Sequence, residues 1–245
     1  MSIDPQPVEL PQRKPPSVLL SILLALLAGG IVWAAIDNVH PVFLVPKEFE
    51  APSIGLPPEV YAANQRAQDR VNRYHAMLYL GSLGLLLGLA LGLAAAIAAR
   101  SFAPLAIAPL LGAVGGVAGG YFGCLVQEYV RTNVGQAELL HTIGAQLAVA
   151  APMGLGIGLG VGLAMRKARP AIPTATAGLI AAILAAVLYP VAVSLLLPNA
   201  STDSLLPDVG SSRLLWLGII AGMLGLIVPL AARRSSPSPR GRGSG

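Results

Sequence analysis

Residues 112–123 read GAVGGVAGGYFG. Their glycines fall in two interleaved rows, Gly112, Gly116 and Gly120, and Gly115, Gly119 and Gly123. Residues four apart on a helix lie on one face. Each row therefore strips one face of side chains and lets a neighbouring backbone come into contact. In lipid, where no hydrophobic force gathers helices, close packing through small residues is a main means of holding them together. The same spacing recurs at Gly84, Gly88 and Gly92 and at Gly154, Gly158 and Gly162, both inside apolar runs. The pattern predicts an all-α, polytopic membrane protein packed through glycine-zipper contacts.

Composition agrees. Of the 245 residues, 55% are hydrophobic and 11% are charged, against about 25% charged in a soluble domain. Six stretches hold no Asp, Glu, Lys or Arg: 17–36, 77–99, 102–126, 142–165, 172–197 and 214–232. Each is close to the roughly 20 residues that a helix needs to cross the hydrocarbon core. They lack the apolar/polar alternation of an outer-membrane barrel strand. A bundle of six transmembrane helices follows. The dominance of Ala, Gly and Leu resembles bacterial inner-membrane composition.

Charge sets the expected orientation, because cytoplasmic loops are enriched in Lys and Arg. With the N-terminus inside, the inner segments carry ten basic residues (Arg13, Lys14, Arg100, Arg166, Lys167, Arg169, Arg233, Arg234, Arg240 and Arg242) against Asp4 and Glu9. The outer segments carry six basic residues against nine acidic ones. Both termini are therefore expected in the cytoplasm. The first run could also be read as a signal peptide, with Val32 and Ala34 ahead of a cleavage site. It is longer than a signal's apolar core, which favours an uncleaved anchor.

Outside the spans the chain divides into an N-terminal tail (1–16), an outer segment (37–76) and a C-terminal tail (233–245). The outer segment begins as proline-rich loop, with Pro41, Pro46, Pro52, Pro57 and Pro58. From Glu59 to His75 it holds no further Gly or Pro and reads as a helix continuous with the second span. Asp69 and Arg73 are spaced for an ion pair along that helix. Val60, Ala63, Ala67, Val71, Tyr74 and Leu78 form a mild apolar stripe, which packs on the protein's own loop or docks a partner. The C-terminal tail is rich in Ser, Pro, Gly and Arg and is expected to be disordered. Its arginines suit anionic headgroups, and it lacks the aromatic residues of a nucleic-acid module. Asn199-Ala200-Ser201 matches a glycosylation sequon, a pattern common by chance.

The outward-to-inward spans resemble one another. Aligned on Gly84, Gly154 and Gly218, the next glycines are Gly88, Gly158 and Gly222, and basic residues close each span. Proline precedes each returning span (Pro15 and Pro16, Pro104, Pro170 and Pro173). Three helical hairpins in parallel repetition would give this pattern, although Gly-Leu-Ala helices also resemble each other by composition.

Chemistry-bearing residues are sparse. No span contains an ionisable carboxylate, Lys or Arg, which argues against a proton-coupled pump or a side-chain cation filter. Gln146 is the most polar span residue and reads as interhelical glue. Pro152, Pro190 and Pro229 interrupt spans four to six, as proline often does in membrane helices. Cys124 is the only cysteine, so no internal disulfide or thiolate metal site is possible. His40, His75 and His141 fall at the outer boundary without metal-ligand spacing. Asp37, Glu128, Glu138 and Arg131 read as solvated boundary charges, or as a shallow polar vestibule. Neither a nucleophile elbow nor a phosphate loop is present. No catalytic residue, metal or cofactor is assigned, and no enzymatic activity is expected.

The glycine rows on spans two, three and four, with Gly218 and Gly222 on span six, are assigned to helix packing. Span three, with two rows, is expected at the centre. Bulkier spans one and five are expected to face lipid or a partner. A structural or accessory membrane subunit is the favoured reading, its partners being the bilayer and another membrane protein or a second copy. A channel or small-solute transporter is the alternative, because glycine-striped helices resemble those lining some mechanosensitive channels.

Overall fold

A computed structural model describes residues 16–39, 41–49, 57–133, 139–165, 171–197, 205–207 and 209–234. The N-terminal tail to residue 15, His40, Glu138, the basic loop 166–170, the sequon at Asn199 and the tail from residue 235 lie outside the described residues.

The chain is a multi-pass helical bundle. Six helices among the described residues are long and apolar enough to cross a membrane. They are α1 (Val18–Val39), α2 (Pro58–Ala99), α3 (Ala103–Asn133), α4 (Leu139–Ala164), α5 (Ala171–Leu196) and α6 (Gly210–Arg234). One 3-10 turn, Lys47–Phe49, lies between α1 and α2, and no strand occurs among the described residues.

Local chemistry sets the helix ends. Pro57 is extended (φ −55, ψ 145) and Pro58 opens α2, where its missing N–H costs nothing. At the other end Arg100 takes the left-handed conformation (φ 48, ψ 49) and returns its N–H to the Ala96 carbonyl. A three-residue turn then leads into α3, with Pro104 in its first turn. At about 1.5 Å per residue, the 42 residues of α2 far exceed a bilayer core of about 30 Å. The helix therefore projects well beyond the membrane at its N-terminal end, called here the upper end. Helix α3 accompanies it through Asn133.

Each helix packs on its neighbours in sequence, and α1 closes onto both α6 and α2. Further contacts join α2 to α4 and α4 to α6. The even helices thus sit inside and each odd helix lies between two of them. Burial follows the same order: 61% of the apolar stretch is buried in α2 and in α4, against 33% in α1 and in α3.

Helix α3 is therefore not the centre. It receives α2 on one glycine row and α4 on the other, while Leu110 and Val114 stand exposed on its third side. A central helix must fill volume as well as permit approach. Helices α2 and α4 do both, because Leu80, Leu83 and Leu87, and Val149, Met153 and Ile157, fill the core beside their glycines. The bulky outer faces match expectation more closely. Leu19, Leu23, Leu27 and Ile31 on α1 and Ile172, Leu195 and Leu196 on α5 are all exposed.

The α2–α3 contact runs in one antiparallel register. A Cβ built on Gly84 would overlap the Gly112 carbonyl oxygen, one on Gly88 the Ala108 oxygen and one on Gly92 the Pro104 oxygen. Gly116 lies on Leu80 and Gly120 on Ala76 in the same way. On the next face Gly115 meets Pro152 and Gly119 meets Val149 of α4, while Gly123 meets Val149 and Leu205. Gly154 and Gly158 of α4 then meet Gly178 and Thr174 of α5. Gly162 is buried one turn further on.

Gly218 and Gly222 do not pack within the bundle. Nothing lies within 4 Å of a Cβ at either position. The close approach on α6 is made instead by Gly225, whose Cβ would lie 2.9 Å from the Ile22 Cα. The buried face of α6 runs through Trp216, Ile220, Leu224 and Val228, which turns Gly218 and Gly222 away from the core.

Candidate functional site

Chemistry-bearing side chains of the described residues gather at the upper end, at the α2–α3, α1–α2 and α1–α6 contacts. The aromatic residues place this layer at a membrane boundary. Phe102, the residue before α3, is 87% exposed, and Phe122 on α3 is 51% exposed. Their separation of 20 positions corresponds to about 30 Å of helix, the thickness of the hydrocarbon core. Exposed aromatic residues are enriched at both interfaces, so the level of Phe122 marks the upper one. Ala76 of α2 packs on Gly120, which brings His75 to that level.

One cluster braces the projection of α2 against α3. Arg131 holds Asp69 through both terminal nitrogens at 2.9 and 2.7 Å. Arg73 pairs with Glu128 at 2.9 Å and lies 5.4 Å over the Tyr121 ring. The hydrogen bonds that Arg131 donates to Asp69 hold its guanidinium above even the usual high range. The Asp69–Arg73 pair expected along α2 is replaced by these crossed pairs. Both side chains find a better-placed partner on α3, which a single-helix spacing argument does not see. Such partly exposed pairs contribute about 0–1 kcal/mol each and serve register more than stability.

A second cluster ties α1 to α6. Arg213, buried at the start of α6, pairs with Asp37 at 3.1 Å and donates Nε–H to the Pro207 carbonyl at 3.1 Å. Trp33 donates its indole N–H to the Gly210 carbonyl at 3.0 Å. Deeper in the bundle the Trp216 indole donates to Gln146 Oε1 at 2.7 Å, with both residues buried. Gln146 thus does join two helices, α4 and α6.

Between the clusters lie His75 and Tyr79, stacked at 5.7 Å with rings 6° from parallel. Segment 41–49 covers them: the Phe43 backbone N–H donates to His75 Nε2 at 2.8 Å. Arg213 acts electrostatically on Tyr79 from the α6 side.

The expected boundary charges therefore split into two places. Asp37 belongs to the α1–α6 tie, and Glu128 with Arg131 to the α2–α3 brace. His75 is buried under segment 41–49, whereas His141 is half-buried on α4. Among the described residues no group of three or more His, Cys, Asp or Glu side chains is placed to hold a metal. Asp37, Asp69 and Glu128 are each held by an arginine. The ion pairs and the Trp33 bond of this layer join the ends of neighbouring helices.

Sequence reasoning missed Arg213, Trp33 and Trp216. A signal was present: Asp37 ends one apolar run and Arg213 begins another at the same boundary, as paired charges of adjacent helices would. The glycine reading also passed over Gly156, Gly160 and Gly178. Gly156 and Gly160 lie on Leu111 and Ala108 of α3, while Gly178 opposes Gly154.

The chain matches no protein-family model, no curated protein and no solved structure.

Proposed function

We propose that this protein is a structural or accessory subunit of a membrane assembly, without chemistry of its own. In this reading the bundle is a solid support that holds the projecting part of α2 at a fixed angle for a partner in the same membrane. The observation that carries it is the interior. Along α2–α3, α3–α4 and α4–α5 the glycines bring backbones into direct contact. The volume between is filled by fully buried Leu, Met, Ile and Val side chains. A transporter needs a polar file or ionisable residues along its path, and the stretches 17–36, 77–99, 102–126, 142–165, 172–197 and 214–232 hold no Asp, Glu, Lys or Arg.

The projection supports the partner half of the reading. It is braced by two crossed ion pairs, yet Val60, Tyr61 and Tyr74 stay exposed on it. We place the upper end outside and both termini in the cytoplasm of a bacterial inner membrane, on the charge asymmetry of the sequence. The alternation of inner even and outer odd helices supports three repeated hairpins as the plan of the bundle.

Solute flux through proteoliposomes tests this. Purified protein in sealed vesicles should leak ions and small solutes no faster than empty vesicles. A sustained flux that scales with protein content would overturn the reading in favour of a channel or transporter.

A further inference from the structure

Segment 41–49 is pinned to α2 at two points. Its Phe43 N–H donates to His75 Nε2 at 2.8 Å, and the Val42 backbone meets the Tyr79 hydroxyl. The Phe43 ring also packs at 5.2 Å from the imidazole, which in turn stacks on Tyr79. His75 is 5% exposed beneath this cover.

An imidazole nitrogen that accepts a hydrogen bond carries a lone pair, so His75 is neutral here with its proton on Nδ1. Imidazolium has no lone pair and both ring nitrogens donate. Protonation would set the Phe43 N–H against another N–H and remove the bond outright. Histidine is the side chain whose ordinary titration range, near about 6.5, makes this a physiological event.

We propose that His75 is a proton-operated latch: its protonation releases segment 41–49 from α2 and opens the His75–Tyr79 stack to water. The surrounding charges favour release over accommodation. On α2 the imidazole has Tyr74 and Tyr79 as neighbours, both neutral when protonated. Arg213 of α6 adds positive charge on the Tyr79 side, and Asp37 of α1 is engaged by that arginine at 3.1 Å. The 3-10 turn that packs on α2 carries Lys47 and Glu48, of opposite sign. The segment's tip suits departure into the headgroup region, since Leu44 is 74% exposed while still latched.

A nitroxide on Leu44→Cys, in a Cys124→Ser background of the full chain in liposomes, reads the latch. As pH falls from about 8 to 5, the spectrum should change from immobilised to mobile in a single titration. His75→Gln, whose amide oxygen accepts the Phe43 N–H without titrating, should hold the label immobilised throughout. His75→Phe should leave it mobile at every pH. An unchanged spectrum across the range in the parent protein, or the same transition in His75→Gln, would overturn the proposal. The parent and the Gln variant suffice to decide even where the Phe variant fails to fold.

Discussion

Gly84 and Gly112 oppose each other across the α2–α3 contact, so close that a Cβ on either would overlap the other's carbonyl oxygen. The relationship repeats every four residues along both helices, from Ala76 against Gly120 to Gly92 against Pro104. Helices this close leave no room for an added methyl group without moving a backbone.

Glycine substitutions should therefore sort by position rather than by motif. Gly116→Leu places its Cβ on the Leu80 carbonyl, and Gly119→Leu on that of Val149. Each should cost at least the 1–3 kcal/mol or so typical of overpacking and should disrupt the bundle. Gly222→Leu, with nothing within 4 Å, should stay within about 0.5 kcal/mol. Thermal unfolding in mild detergent, followed by loss of monodisperse protein, separates the two classes. Equal tolerance at Gly116 and Gly222 would sink the packing argument.

Trp216→Phe keeps a buried aromatic ring, at the cost of some volume, and removes the donor to Gln146. Stability should fall by about 1–2 kcal/mol, the worth of one interhelical hydrogen bond with a buried partner left over. Gln146→Leu should lose a similar amount. The double variant should cost less than the sum, because neither polar group is then stranded. Strict additivity in the melting data would show that the bond contributes nothing.

The bidentate Arg131–Asp69 pair should act on the projection, not on the membrane core. Asp69→Asn should lower global stability by no more than about 1 kcal/mol. Amide exchange in residues 58–70 should accelerate, while exchange in residues 80–95 should not change. Uniform acceleration along α2 would mean that the pair supports the whole bundle.

Much of this architecture was legible in the chain. Charge-free runs of about the right length marked all six spans, because burying a charge in hydrocarbon is costly enough to leave a clear gap in the sequence. The continuation of the second span into a long projecting helix was equally plain, since no Gly or Pro interrupts residues 59–75. Centrality was not legible. Glycine rows report how near a helix can come, but Leu83, Leu87, Met153 and Ile157 decide which helices the others surround. Nor could spacing reveal that Asp69 and Arg73 turn away from each other toward Arg131 and Glu128, since their partners lie 62 and 55 residues distant. The same holds for Phe43 over His75, a contact made by a loop whose path no periodicity encodes.

The central claim is that a packed bundle presents the α2 projection to another membrane protein. Native mass determination after affinity purification from gently solubilised membranes tests it most directly, run in parallel on the parent chain and on Tyr61→Asp, at a 49% exposed position of the projection. The account predicts a stoichiometric complex of this 25.0 kDa chain with a different membrane protein, lost in the variant while its melting temperature is unchanged. A parent chain recovered only alone or as a homo-oligomer, from membranes where it is abundant, would contradict the account.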